Sequence, residues 1–430
     1  MSHPTGAAPS ALEGIRILEI ASERGVLAGK LLADMGADVV TIEPPRGSAM
    51  RSYAPFVDDR PDPEKSLYWW HYNTSKRGVT LDLESPRGRE LFLRLVASAD
   101  AVLECEDPGQ MARLGLDYPD LAEVKSDVIV VSLTPFGRDT AKPDAQVTDL
   151  TVLAAGGPVW SCGYDDHSIP PVRGGGNQGF QTGAHYAVLS LLTALLHRGI
   201  SGEGQHIDVS LHAAANATTE MASYCWLVAQ DEVQRQTGRH AMAMITMPTQ
   251  SQCADGRYVT TGIPPRWPHE FSALHAWLVR LGLVDQLPEA IFLEQAAEKE
   301  FIDFSLLGQD DEVNAIMGAG RDALLLIARN VSAHDFFIGA QECGLSAGAV
   351  YAPEEVIEDP HFKERGFPVR VEHPEIGRTI TYPGAPYRFN GSPWRISRRA
   401  PTLGEHNDEV LGELGVTSDE RAKLRADGIV

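Results

Sequence analysis

Cysteine is scarce in this sequence and shows no pairing pattern. The five present, Cys105, Cys162, Cys225, Cys253 and Cys343, are scattered and include no CxxC pair. An odd, sparse set argues against a disulfide framework or a zinc site and for a reducing compartment. Cationic residues are also in deficit: 37 Lys and Arg stand against 59 Asp and Glu, a formal net charge of −22. Such a chain is a poor partner for nucleic acid or an anionic membrane, which need a basic face. An anionic ligand would have to be met by a local cluster of cations. No apolar run reaches transmembrane length. The N-terminal MSHPTGAAPSA has neither the basic nor the apolar region of an export signal, so the expected location is the cytoplasm. Nucleotide motifs are missing as well. The turn after the first strand reads Ser22-Glu-Arg-Gly25 rather than GxGxxG. Gly25-Val-Leu-Ala-Gly29-Lys30 misses P-loop spacing by one residue, with Leu31 where a magnesium-binding hydroxyl belongs. The sequence therefore gives no reason to expect NAD or a metal.

What is present is an ordinary globular composition, 43% apolar and 22% charged over 430 residues, long enough for two domains. Ile15–Ile20, a helix over 25–35 with Leu27, Leu31, Leu32 and Met35 on one face, a stop at Gly36 and a strand over 37–42 form a βαβ unit with a parallel sheet. Ser85-Pro86 opens a further helix as N-cap and first residue. Strands follow at 99–104 and 128–132. The centre of the chain is Pro170 to Leu211, PPVRGGGNQGFQTGAHYAVLSLLTALLHRGISGEGQHIDVSL. A glycine-rich loop feeds a segment, Ala184 to Leu196, that is apolar all round and so reads as a buried helix. Such a loop lets a ligand approach the backbone, and the helix N-terminus offers free N–H groups to an anion or oxyanion. The plainer reading is a tight turn before a core helix.

Ala194 to Leu211 resembles the segment "AL..R..TGxGQxVDVSL" of family III CoA-transferases, the group that includes formyl-CoA transferase and α-methylacyl-CoA racemase. Further fragments extend the resemblance over roughly Leu12 to Gly415: "GKLLADMGADVVTIEPP", "SLYWWHYNTSKRGVTLDL", the Asp107–Leu116 segment, "DGRYV" at 255–259, Pro353–Gly366 and, most specific, "APTLGEHNDEVL" from Ala400. The resemblance implies an α/β fold: a Rossmann-like doubly wound large domain with a smaller α+β domain, in an interlocked-ring dimer. Its expected bounds are 1–229 for the N-terminal part of the large domain, 230–335 for the small domain and 336–430 for a segment that returns to complete the large one. It also implies coenzyme A, carried as a thioester substrate, and a free carboxylic acid. Arg46, Arg51, Asn73, Lys76, Arg77 and Arg113 are the candidates to hold CoA, because its phosphates need local cations; each also reads as an ordinary surface charge.

In that family an aspartate attacks the acyl-CoA thioester, giving an aspartyl anhydride and CoA thiolate. The thiolate then returns to leave the enzyme as a CoA thioester, from which the acceptor acid takes the CoA. Counting back from Arg198 places that aspartate at about Gly179, Phe180 or Gln181, and none of these is a carboxylate. The nearest acids toward the N-terminus in the loop are Asp165 and Asp166. The racemase histidine is likewise absent, Thr148 standing in its place. Where the family has Asn-Phe against the CoA, this chain has Cys105-Glu106, and a glutamate there would repel a pyrophosphate unless it turns away. The family's glycine-rich flap is replaced by a methionine-rich run over 239–250, which suits an apolar acyl pocket or plain core. An amide cannot replace the aspartate as nucleophile. The first reading is the subunit that lacks the aspartate in a heteromeric enzyme, close in character to benzylsuccinate-type CoA-transferases, which are built from two homologous subunits. The second is a homomeric transferase or racemase using a displaced carboxylate, Asp165 or Asp166. The third is a non-catalytic CoA-thioester-binding or scaffold subunit. The expected partner is a second copy or a homologous aspartate-bearing chain, with no nucleic acid and no membrane.

Overall fold

A computed structural model describes residues 8–140, 146–261 and 264–430; the first seven residues, part of the segment read for an export signal, lie outside it. Two compact units emerge. The first comprises the chain up to Val159, Arg173–Glu220 and Ile357–Val430; the second comprises Trp160–Val172 and Met221–Val356.

The first unit is built on six parallel strands: β1 (Arg16–Ile20), β2 (Asp38–Glu43), β3 (Arg77–Thr80), β4 (Ala101–Glu104), β5 (Ile129–Thr134) and β6 (Gln205–Ser210). Their order is β3-β2-β1-β4-β5-β6, the doubly wound arrangement whose connections reverse direction beside β1. Helices cover both faces: α1 (Val26–Asp34), α2 (Leu67–Tyr72), α3 (Pro86–Val96), α4 (Gln110–Leu114), α5 (Tyr118–Val124), α6 (Asp149–Gly156), α7 (Gln178–Ser201) and α8 (Leu211–Ala217). Alternate residues of each strand feed two cores. Leu18, Val40 and Val102 pack with Leu91, Phe92 and Leu95 of α3. Ile17, Val39, Ala101 and Ile129 pack with α1 and with Ala184, Ala187 and Leu191 of α7. Ser85 caps α3 by accepting from the Arg87 N–H, with Pro86 in the first turn, as the sequence suggests.

The returning C-terminal segment closes an open edge. β3 is an edge strand, whose outward N–H groups would otherwise be unpaired. The Gly78 N–H donates to His406 Nδ1 at 3.1 Å and the Thr80 N–H to Asn407 Oδ1 at 2.8 Å, while Asn407 Nδ2 donates back to Thr80 Oγ1. The other edge, β6, follows the turn at Gly202, which has φ +77°. At Gly204 a Cβ would come within 2.2 Å of the Val128 carbonyl oxygen, so only glycine lets the chain run so close to the start of β5.

The second unit has a three-stranded antiparallel sheet of Gln250–Gln252, Tyr258–Thr261 and Ala347–Ala349. The helices Pro268–Leu281, Ala290–Ala297, Asp311–Asn330 and Ala333–Glu342 cover it around Phe271, Leu274, Trp277, Ile316, Ile327 and Phe336. Its boundary lies beyond the expected 335, because Phe336, Ala340, Cys343 and Leu345 belong to this core. Among the described residues no helix is long and apolar enough to cross a membrane.

α7 departs from expectation in two ways. It begins at Gln178, so the loop residues Gly179, Phe180 and Gln181 form its first turn. It is also buried on one face only. Phe180, Ala184, Ala187, Leu191 and Ala194 are buried, whereas Tyr186, Leu189, Leu192, Leu196 and Ile200 form an exposed stripe, the last three being 38%, 69% and 82% exposed and Leu189 61%. Both faces are apolar, and this is why the periodicity could not tell a wholly buried helix from a half-covered one.

Candidate active site

The C-terminal ends of β1 to β4 open into a crevice of about 1090 Å³, lined by the turns Ile20–Arg24, Ile42–Tyr53, Leu81–Glu84 and Cys105–Asp107, with Gln110, Met111 and Leu114 of α4. This is where doubly wound sheets bind ligands. Its charges are mostly acidic. Glu23, Glu43, Glu64, Asp82, Glu84, Glu106 and Asp107 line it against Arg24, Arg46 and Arg51. Arg24 donates to Asp107 at 3.0 Å and to the Cys105 carbonyl at 3.1 Å. Arg51 is buried over the Trp69 ring, donates to both Glu43 oxygens at 2.7 and 2.8 Å and reaches Glu64 at 3.0 Å. Among the described residues the exposed Arg46 makes no ion pair. Glu106 does not turn away: it lines the crevice, and burial beside Asp107 raises its carboxyl above the usual range.

The other cations assigned to CoA by resemblance lie elsewhere. Lys76 is fully buried; its Nζ donates to both Glu19 oxygens at 3.0 and 2.7 Å, to the Val26 carbonyl at 3.0 Å and to Asn73 Oδ1 at 3.1 Å. Gly29 makes room for that pair, since a Cβ there would sit 2.1 Å from Glu19 Oε1. Arg77 clamps Asp38 at 2.8 and 2.5 Å and reaches Glu409 and Glu413. None of Asn73, Lys76 and Arg77 lines the crevice. Arg113 is exposed and pairs with Glu84 at 2.6 Å. Spacing could not reveal this, because a buried partner 57 residues away leaves no local signal.

The first turn of α7 is tied down by amides and one carboxylate. Asn177 Nδ2 donates to the Tyr68 hydroxyl and Gln181 Nε2 to the Tyr72 hydroxyl, both at 3.0 Å. Tyr68 meets Tyr53 edge to face at 5.2 Å between ring centroids and lies tilted against Tyr72 at 4.7 Å, and burial pushes the Tyr68 phenol well above its ordinary value. The side-chain position of Gly179 faces Asp149 of α6: a Cβ there would lie 3.2 Å from Asp149 Oδ1. Asp149 Oδ1 accepts from the Phe180 N–H at 3.0 Å, and its Oδ2 accepts from Arg173 at 3.2 Å. One of the N-terminal N–H groups of α7 expected to be free for an oxyanion, that of Phe180, is thus held by a carboxylate of the chain itself. No motif in the sequence marks Asp149 as a site residue. Asp165 and Asp166 belong to the second unit. Asp165 accepts from Arg239 at 2.8 and 3.1 Å, which holds its carboxyl below the usual range; Asp166 accepts from the Ser168 hydroxyl and N–H.

A second polar cluster lies across β4, β5 and β6. Ser132 Oγ lies 2.9 Å from His206 Nε2, and Arg138 forks onto Asp117 with two contacts of 2.6 Å. Beside them burial pushes the Glu104 carboxyl from 4.5 up to about 7, with the Ser132 hydroxyl, the Glu106 N–H and Arg138 opposing. A carboxyl raised in the folded state contributes its full stability below its unfolded value and loses it as pH rises through the folded one. Glu104→Gln, which mimics the neutral acid, is therefore expected to match the parent near pH 5 and to exceed it above pH 8 by on the order of 2–3 kcal/mol. Urea unfolding at both pH values checks this; an equal gain or loss at both would reject the titration.

The model of CoA-transferase family III matches residues 12–407, and the chain belongs to that family. It is 29% identical over 96% of its length, and 97% of the relative's, to the succinyl-CoA:(R)-benzylsuccinate CoA-transferase subunit BbsE of Thauera aromatica. It is 28% identical to the succinyl-CoA–D-citramalate CoA-transferase of Chloroflexus aurantiacus, over 98% of both chains. Among solved structures, a CAIB/BAIF family protein from Brucella suis superposes with a TM-score of 0.75 at 24% identity, over 94% of this chain and all of that one, a likeness of fold.

Proposed function

We propose that this chain is the aspartate-lacking subunit of a heteromeric CoA-transferase that moves CoA from a thioester such as succinyl-CoA to a free carboxylic acid. The observation that carries the reading is the first turn of α7. Gly179, Phe180 and Gln181 offer no nucleophile there, and the nearest carboxylate, Asp149, already accepts from Phe180 and Arg173. The homologous partner then supplies the aspartate that forms the anhydride. The acid-lined crevice supports the same division of labour: its carboxylates outnumber its cations, and Arg24 and Arg51 are already paired to them, which opposes a polyphosphate, so the CoA ester sits chiefly on the partner, with Arg46 as this chain's contribution. The uncovered apolar stripe of α7 supports a tight assembly, in which interlocked rings are the expected form. The homomeric reading through Asp165 or Asp166 is disfavoured because Arg239 and Ser168 already occupy those carboxylates.

The test is to assay the chain alone and together with a homologous aspartate-bearing chain, using succinyl-CoA and a panel of acids, with hydroxylamine to trap any acyl-enzyme. We expect activity and adduct only in the mixture, with the adduct on the partner. An adduct on this chain alone would establish the homomeric reading. A mixture that assembles yet shows no turnover with any acid would leave a scaffold role.

A further inference from the structure

The methionine-rich run of the second unit forms a groove of about 710 Å³. Its polar groups are turned inward. Gln236 Oε1 accepts from the Thr246 N–H at 2.7 Å, and Gln236 Nε2 donates to the carbonyls of His240 and Met244. Arg239 donates to Gln236, to the Thr246 hydroxyl and carbonyl, and to Asp165. Asp165 therefore anchors this turn. With these groups engaged, the apolar side chains of the run that line the groove are Met242, Met244, Ile245 and Met247, together with Phe304, Met317 and Leu324. Met244 and Ile245 are 76% and 78% exposed. Unsupported apolar side chains at that exposure call for an occupant. The volume lies within the range of small-molecule sites, and flexible thioethers adapt well to flat rings. Three arginines stand at the lining, Arg239, Arg266 and Arg321, and Arg239 is held by Asp165. Arg321 is paired to its neighbour Asp322, whereas Arg266 makes no ion pair among the described residues. An apolar bed with one uncommitted guanidinium fits a carboxylate on an apolar body. It fits neither a polyphosphate, which needs several cations, nor a cation.

We infer that this groove is the pocket that selects the acid, taking aryl-substituted carboxylates through the methionines and the carboxylate through Arg266. The assignment of the bound acid as a CoA acceptor rests on the transferase reading above; the binding itself does not. The experiment uses the full chain with methyl-labelled methionine, observed by NMR without CoA or partner. The probes are 3-phenylpropionate, succinate and 2-phenylethylamine. 3-Phenylpropionate is expected to shift the Met242, Met244 and Met247 methyl signals, and the other two probes to leave them in place. Arg266→Glu should weaken binding at least about tenfold, the loss of a charged hydrogen-bond donor. Met244→Glu, at an exposed position that folding does not require, should abolish it. Still methyl signals at millimolar 3-phenylpropionate, or equal binding of the amine, would overturn the assignment. A chain that binds the acid but supports no transfer with any partner would keep the pocket and remove the transferase reading.

Discussion

Lys76→Met is expected to destabilise the first unit by about 3–5 kcal/mol, enough to leave much of the chain unfolded at 37 °C. The ammonium of Lys76 and the carboxylate of Glu19 are both buried, and the pair is closed by Val26 and Asn73. Removing one partner leaves an ionised or newly protonated Glu19 without the Lys76 ammonium, packed against Gly29 of α1. The double variant Glu19→Leu with Lys76→Met removes both groups and is expected to recover most of the loss. Urea titrations of the two singles and the double measure the coupling. A single variant within about 1 kcal/mol of the parent would mean that Lys76 is free for another role, the CoA contact that the resemblance suggests.

A larger effect on function is expected at α7. The double variant Leu189→Glu, Leu196→Glu should leave the isolated chain folded, because both side chains are largely exposed, and should abolish assembly with an aspartate-bearing partner. Each leucine contributes about 1.5–3 kcal/mol when covered, and each glutamate adds the cost of burying a charge. Together these weaken association by roughly a thousandfold or more. Light scattering on the co-expressed chains reads the assembly, and transferase activity should fall with it. If the variant pair still assembles and turns over, the stripe is not the interface.

The βαβ opening, the cap at Ser85 and the stop at Gly36 were legible in the sequence, because each depends on residues a few positions apart: apolar alternation, a hydroxyl before a first turn, a glycine at positive φ. The two most specific motifs were legible as signatures, although their physical work was not. "APTLGEHN" pairs the edge strand β3 through His406 and Asn407, and "SGEGQHIDVSL" sets the opposite edge, β6, against β5. The first covers one end of the sheet and the second forms the other.

The sequence by itself determined that the chain is acidic, that its turns lack nucleotide-binding glycines, that positions 179–181 hold no carboxylate, and that its motifs are those of CoA-transferase family III. These are properties of composition and short spacing. Only the tertiary structure decided which charges are free. Lys76, Arg77 and Arg51 look alike in sequence to Arg46, and they differ because the sheet brings Glu19, Asp38 and Glu43 against them. The structure alone placed Asp149 beside Gly179, turned Asp165 into an anchor for the methionine run, and uncovered half of α7. The reason is common to all: an ion pair or an exposed face is set by distance in space, and residues from 8 to 74 positions apart in the chain carry no local mark of the neighbour they will meet.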